Sequence, residues 1–262
     1  MSQLINSADF GARLKNSVFR NIASPQGMMA AAFPINRDKV VYVEDDFIED
    51  TISSTRWNLA ADGTATTFAW AVAAGGTIAG STGTTDNGYF AINGDVMWSG
   101  DKNAGMAVRW KSDAVTDFTF EIGFTDALSD ETLPAVTDVD TPATGNGATD
   151  VAVVHLDTDQ TLKTAAFVSE STGTAYAAQK VNLGTWLPTA AVYYTTVVQL
   201  VGDNAFTFTL NANGTLVPNT DKGLSLALEG GTLVRPHALF GTRSVAAKAI
   251  DVDFVRVWQD RV

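Results

Sequence analysis

Apolar and polar residues alternate along most of this chain with a period of two, the spacing that turns successive side chains to opposite faces of a strand. From residue 40 onward the pattern predicts strands at Val40–Val43, Thr67–Val72, Tyr89–Ile92, Gly105–Lys111, Asp117–Thr125 and Val151–Leu156. It predicts further ones at Leu162–Val168, Ala175–Val181, Val192–Leu200, Ala205–Leu210, His237–Thr242 and Ala249–Trp258. The last of these changes phase. Ile250, Val252 and Phe254 share one face with Asp251 and Asp253 opposite, and then Val255 and Val257 take over the apolar role. A bulge, or burial on both faces, would account for the break. Asn87-Gly88, Asn93-Gly94 and Asn213-Gly214 are the expected hairpin turns, because Asn and Gly tolerate positive φ. Many short strands and no convincing helix after residue 44 predict an all-β sandwich.

Residues 1–44 follow another rule. Phe10, Leu14 and Val18 recur every fourth position, and Ser7 stands where it could cap a helix over residues 8–20. Arg13, Lys15 and Arg20 lie off that apolar stripe, Gly11 weakens the helix, and Ser24-Pro25-Gln26-Gly27 ends it. This is too little for a domain, so the expected division is a partly helical docking arm, 1–44, and a sandwich, 45–262. Charge divides similarly. Residues 1–39 hold five cations against Asp9 and Asp38, a balance of +3, which leaves −15 of the chain's net −12 to the remainder. A basic arm on an acidic body fits docking through the arm, with Phe10, Arg13, Leu14, Lys15, Val18 and Arg20 as the expected contact residues.

Composition narrows the function classes. Apolar residues make up 45% of the 262, enough for a substantial core, and cysteine is absent, which excludes disulfides and thiol chemistry. The start lacks a basic segment followed by a long apolar run, and Phe68–Gly80 is too short and Gly-rich to cross a bilayer, so neither export signal nor membrane partner is expected. An acidic body disfavours nucleic acid. The segment 126–150 carries six acidic residues and no basic one, and loops longer than about 12–15 residues tend to be functional or mobile.

The closing segment Asp251-Val-Asp-Phe-Val-Arg-Val-Trp258, with Phe120-Glu-Ile-Gly-Phe-Thr-Asp126, Val153–Asp159 and Leu162–Phe167, resembles the concanavalin A-like lectin/glucanase jelly roll. The resemblance is to the versions found in tailed-bacteriophage virion proteins and spans roughly residues 45–262. It implies an antiparallel jelly-roll β-sandwich behind the arm.

Glucanases of this family place two or three carboxylates along one strand to cleave a glycosidic bond. The matching strand here is Phe118–Thr125, where Glu121 shares its face with Gly123 in the place of a second acid. One carboxylate cannot serve as both acid and nucleophile, so no catalytic residue is expected. Asp138/Asp140, Asp157/Asp159 and Asp251/Asp253 are pairs, but none follows the calcium-loop spacing; Asp157–Asp159 reads as the polar turn of a hairpin, and neither metal ligand nor cofactor is expected. His155 and His237 stand alone in apolar runs and read as structural. Trp98 and Trp186 lie beside turns, where an exposed indole could serve as a glycan platform.

With these readings, the resemblance implies a non-enzymatic virion structural protein made in the host cytoplasm. As a head decoration or cement protein it would bind the major capsid protein or another virion protein, with homo-oligomeric contacts within the assembly. The alternative is a glycan- or receptor-binding module of a phage fibre, and after it a glycoside hydrolase.

Overall fold

The computed structural model describes residues 40–47, 55–62, 66–71, 76–127, 134–141, 147–169, 180–224 and 231–261. In chain order the strands are β1 (Val40–Asp45), β2 (Asn58–Ala61), β3 (Thr66–Ala71), β4 (Thr77–Ser81), β5 (Tyr89–Asn93), β6 (Gly105–Ser112), β7 (Phe118–Thr125) and β8 (Val151–Asp157). There follow β9 (Thr164–Ser169), β10 (Lys180–Asn182), β11 (Tyr194–Val201), β12 (Asn204–Asn211), β13 (Lys222–Leu224), β14 (Arg235–Thr242) and β15 (Ala249–Asp260). Each expected strand overlaps one of these, Ala175–Val181 only through β10, and β2, β4 and β13 go beyond the expectation. The expected helix and the contact residues Phe10, Arg13, Leu14, Lys15, Val18 and Arg20 lie outside the described residues.

Two antiparallel sheets result. Sheet A runs β13-β12-β11-β6-β15-β4-β3, with β1 also on β15; sheet B runs β10-β9-β8-β7-β14-β5-β2. β15 holds two strands on one flank, β4 along Ala249–Val252 and β1 along Val255–Asp260. β1 runs across the expected 44/45 division, and Val41 and Val43 pack against the core, so the described sandwich begins at Val40.

The core lies between the sheets. Phe118, Phe120, Ile122 and Phe124 of β7 face Met106, Val108 and Trp110 of β6 and Val198 and Leu200 of β11. Trp110 is central, with its ring 4.6 Å from Phe120, 5.9 Å from Phe240 and 5.9 Å from Tyr194. Its indole N–H donates to the Thr196 hydroxyl at 3.2 Å, so the polar edge is satisfied where the ring is buried.

The phase break in the closing strand is a bulge. Val252 pairs with Trp110 and Phe254 with Arg109, leaving Asp253 as the extra residue. Ile250 and Val252 before it, and Val255 and Val257 after it, all reach the inter-sheet core, while Phe254 and Trp258 are buried on the other face.

Turn chemistry is less direct. The tight hairpin joins β11 to β12 through Gly202-Asp203, with Val201 paired to Asn204 and Gly202 at φ 56°. Asn87 has the positive φ its type permits, 57°, but it links strands of different sheets. Gly94 ends β5, its N–H donating to the Pro236 carbonyl at 2.9 Å. Of the three Asn-Gly pairs, Asn213-Gly214 alone turns the chain between neighbours in one sheet, β12 and β13.

Candidate functional site

The outward face of sheet B concentrates the unusual chemistry. On β7, the residues alternating with the core phenylalanines are Thr119, Glu121, Gly123 and Thr125, and Glu121 is fully buried. Register sets His155 of β8 directly opposite Glu121, and His237 of β14 opposite Gly123, one residue pair along. His237 Nε2 lies 3.3 Å from Glu121 Oε1 and His155 Nδ1 lies 3.4 Å from Oε2, with all three side chains excluded from solvent. These are long contacts in the ion-pair range. The shorter bonds come from the backbone: the N–H groups of Ala135 and Val136 donate to Oε1 and Oε2 at 2.8 and 2.9 Å.

The imidazoles are held from behind. The Thr119 hydroxyl donates its single proton to the Leu156 carbonyl at 2.8 Å, so its oxygen faces His155 Nε2, 3.1 Å away, as an acceptor. His237 Nδ1 is 2.6 Å from Asn93 Oδ1. Burial works to raise the Glu121 carboxyl, but hydrogen bonding to His155 and His237 and their charges outweigh it and hold the group at about 2. The carboxylate is therefore ionised and saturated with donors.

Ala135 and Val136 belong to the acidic segment 126–150, expected as a long loop. Ala135, Val136 and Val139 are fully buried against Val151 and Val153 of β8, so residues 134–141 lie across the face of sheet B. Such burial needs the backbone polar groups satisfied, and cations from distant parts of the chain do part of this. Arg243 Nη2 donates to the Thr137 carbonyl at 3.1 Å and pairs with Asp157 Oδ2 at 2.6 Å, while Nη1 reaches the Tyr89 hydroxyl at 2.6 Å. Lys180 Nζ donates to the carbonyls of Val139 and Asp140. Asp140 accepts the N–H groups of Leu162 and Thr161, which lower its carboxyl. At the base, Asp126 accepts the N–H groups of Thr149 and Asp150.

This arrangement lacks what a glycosidase needs. A general acid must be raised toward neutrality and reach the leaving oxygen, whereas Glu121 is lowered and sealed under residues 134–141. A side chain at position 123 has no room either: a Cβ there would stand 2.1 Å from the Ala152 carbonyl oxygen of β8. Asp157, on the same face, is engaged by Arg243. Among the described residues no three His, Cys, Asp or Glu side chains are placed to ligate a metal ion.

Other candidates are scattered. Asp251 and Asp253 pair with Lys111 and Arg109, and the Asp157 carboxylate accepts the Asp159 N–H in the β8–β9 hairpin turn, as expected. Trp98 corrects its expectation: it is 2% exposed, bridges to Val234 and belongs to the core, so it offers no platform. Trp186 is half-buried, edge-on to Tyr194 at 5.2 Å. The convergence of Glu121, His155 and His237 was the feature hidden in the sequence. The available signal was a titratable residue in the interior of each of three strands rich in apolar residues, Glu121 in β7, His155 in β8 and His237 in β14.

Two face-to-face antiparallel sheets, of eight and seven strands, form a jelly-roll β-sandwich. No known protein family and no curated protein matches the chain. Solved structures share the fold. A protein of unknown function from Shewanella oneidensis MR-1 is 11% identical, over 90% of this chain and 94% of that one, with a TM-score of 0.59. The Emp47p carbohydrate recognition domain is 12% identical (87% and 100% covered, TM-score 0.54) and peanut lectin 12% identical (85% and 99%, 0.53). A glycosyl hydrolase family protein from Mycobacterium fortuitum is 13% identical (82% and 98%, 0.51). Likeness at these identities shows the fold alone.

Proposed function

We propose that this protein is a non-enzymatic structural protein of a tailed-phage virion, a head decoration or cement protein that docks on the major capsid protein through residues 1–44. The observation that carries the non-enzymatic part is the occupied face of sheet B: the strand that would bear catalysis has one acid, spent on the backbone of residues 134–141. The virion part is supported by the sequence resemblance, and docking through the arm by the charge contrast of +3 against −15. Mass spectrometry of purified particles, with and without residues 1–38, tests both. The full chain is expected in a fixed ratio to the shell protein, and the shortened chain, which keeps β1, is expected to fold and be lost from particles. Particles that carry the shortened chain equally well overturn docking through the arm; particles that carry neither overturn the virion role.

The fold neighbours named as lectins favour a second reading, a glycan- or receptor-binding module. With Trp98 buried, Trp186 is the aromatic left to carry it, and glycan-array binding abolished by Trp186→Ala would replace the first reading.

A further inference from the structure

Each oxygen of the Glu121 carboxylate is shared between residues 134–141 and an imidazole. Oε1 accepts the Ala135 N–H and lies 3.3 Å from His237 Nε2; Oε2 accepts the Val136 N–H and lies 3.4 Å from His155 Nδ1. The far nitrogen of each ring also meets an acceptor. His237 Nδ1 is 2.6 Å from Asn93 Oδ1, and His155 Nε2 is 3.1 Å from the Thr119 oxygen, whose proton goes to the Leu156 carbonyl. A neutral imidazole carries one N–H and one bare lone pair. On either ring that lone pair would point at an oxygen, in a place closed to water.

We infer that His155 and His237 are both doubly protonated in the folded protein, and that together they form a pH-dependent lock holding residues 134–141 on sheet B. The coupling runs through the shared oxygens. An imidazole that gives up its proton replaces an attraction at Glu121 with a repulsion. The buried carboxylate must then turn away, and the backbone N–H on the same oxygen loses its acceptor. The neighbouring charged and titratable groups are Asp157 on β8, Arg235 on β14, Arg243 beyond it, Tyr89 on β5, and Asp138 and Asp140 on the held segment. Asp157 pairs with Arg243, while Asp138 and Asp140 accept backbone N–H groups. Burial pushes the Tyr89 hydroxyl up to about 12, and arginine stays charged throughout. Among these side chains only imidazole ordinarily titrates between about pH 5 and 8. The folded chain binds the extra protons, so the lock is complete at the acid end of that range and is lost as pH rises. It is read on the sandwich alone and stands whether or not the protein docks through its arm.

The experiment is nitrogen NMR of the isotope-labelled full chain, whose two histidines are both in the lock, read beside amide exchange. At about pH 6 all four ring nitrogens should show the shift of a protonated nitrogen. Between about pH 6 and about pH 9 the protection of the Ala135 and Val136 amides, corrected for intrinsic exchange, should fall about tenfold or more, while β11 keeps its own. His237→Gln gives Glu121 a donor that does not titrate and should flatten the fall. A ring nitrogen found unprotonated at about pH 6 in either histidine overturns the inference, even where the variant fails to fold. So does protection at Ala135 and Val136 that stays level across the range.

Discussion

The two outward faces of the sandwich carry the same kinds of residue in opposite surroundings. On sheet B, Glu121, His155, His237 and Asp157 are buried, Arg243 is half-buried against Asp157, and Glu121 and Arg243 bond to the backbone of residues 134–141. On sheet A, Arg109–Asp253, Lys111–Asp251 and Arg256–Glu44 form a ladder between β6, β15 and β1 that water still reaches, with Tyr193 over the first two cations. A charge in water loses little when its partner leaves. A buried one loses its only solvation, and so the sheet B centre holds structure together in a way that the sheet A ladder does not.

The sharpest way to break this contrast is Glu121→Ala. It leaves two buried N–H groups without an acceptor and removes the anion between two imidazoles, and should cost about 3–5 kcal/mol in urea unfolding. Residues 134–141 should become the first site of proteolytic cleavage. A loss near that of a surface substitution would show that the hydrophobic contacts of Ala135, Val136 and Val139 hold the segment unaided.

Acid should act on the same atoms. The folded Glu121 carboxyl sits at about 2 against an ordinary 4.5, so its contribution is complete above 4.5 and is lost as pH falls toward 2. The loss corresponds to about 3 kcal/mol at most. Amide exchange at Ala135 and Val136 should speed up across that window ahead of β7 and β8, and Glu121→Gln should flatten the dependence. Uniform acceleration throughout the sandwich would place the acid response elsewhere.

The smallest effect belongs to sheet A. Lys111 Nζ is 2.8 Å from Asp251, both about a third exposed, and Asp251→Ala should cost about 0.5 kcal/mol, less at high salt. A loss comparable to that at Glu121 would erase the distinction between the faces.

Much of the fold was legible because a half-buried strand writes its burial into alternate residues. β7 reads Phe-Thr-Phe-Glu-Ile-Gly-Phe-Thr and buries its apolar set between the sheets, and the broken phase of β15 pointed to the bulge at Asp253. β2 and β13 are short edges of mixed exposure, and β4 (Thr-Ile-Ala-Gly-Ser) carries small residues whose burial comes from neighbours. Asn-Gly pairs report a backbone conformation, and Asn87 adopts it, but the conformation does not say whether the next strand stays in the same sheet. The site was the least legible part. The burial of Glu121 was hidden because sequence alternation shows which face a side chain takes and says nothing of what later covers that face. The acids of 126–150 marked a long loop, whereas the structure lays Ala135, Val136 and Val139 against β8, and Asp126 and Asp138 are spent on backbone N–H groups in turns.

The position of β15 also governs the order in which the protein can assemble. It lies between β6 and the paired flank of β4 and β1, so the middle of sheet A awaits a strand separated from β1 by most of the chain. During synthesis the hairpins β7–β8–β9 and β11–β12 can form from local contacts, while β1 and β4 stay without their common neighbour until residues 249–260 emerge. A nascent chain of this design therefore carries open strand edges until residues 249–260 have been made, and it should reach the native state slowly, in one closing step, with chaperone cover for the unpaired edges until then.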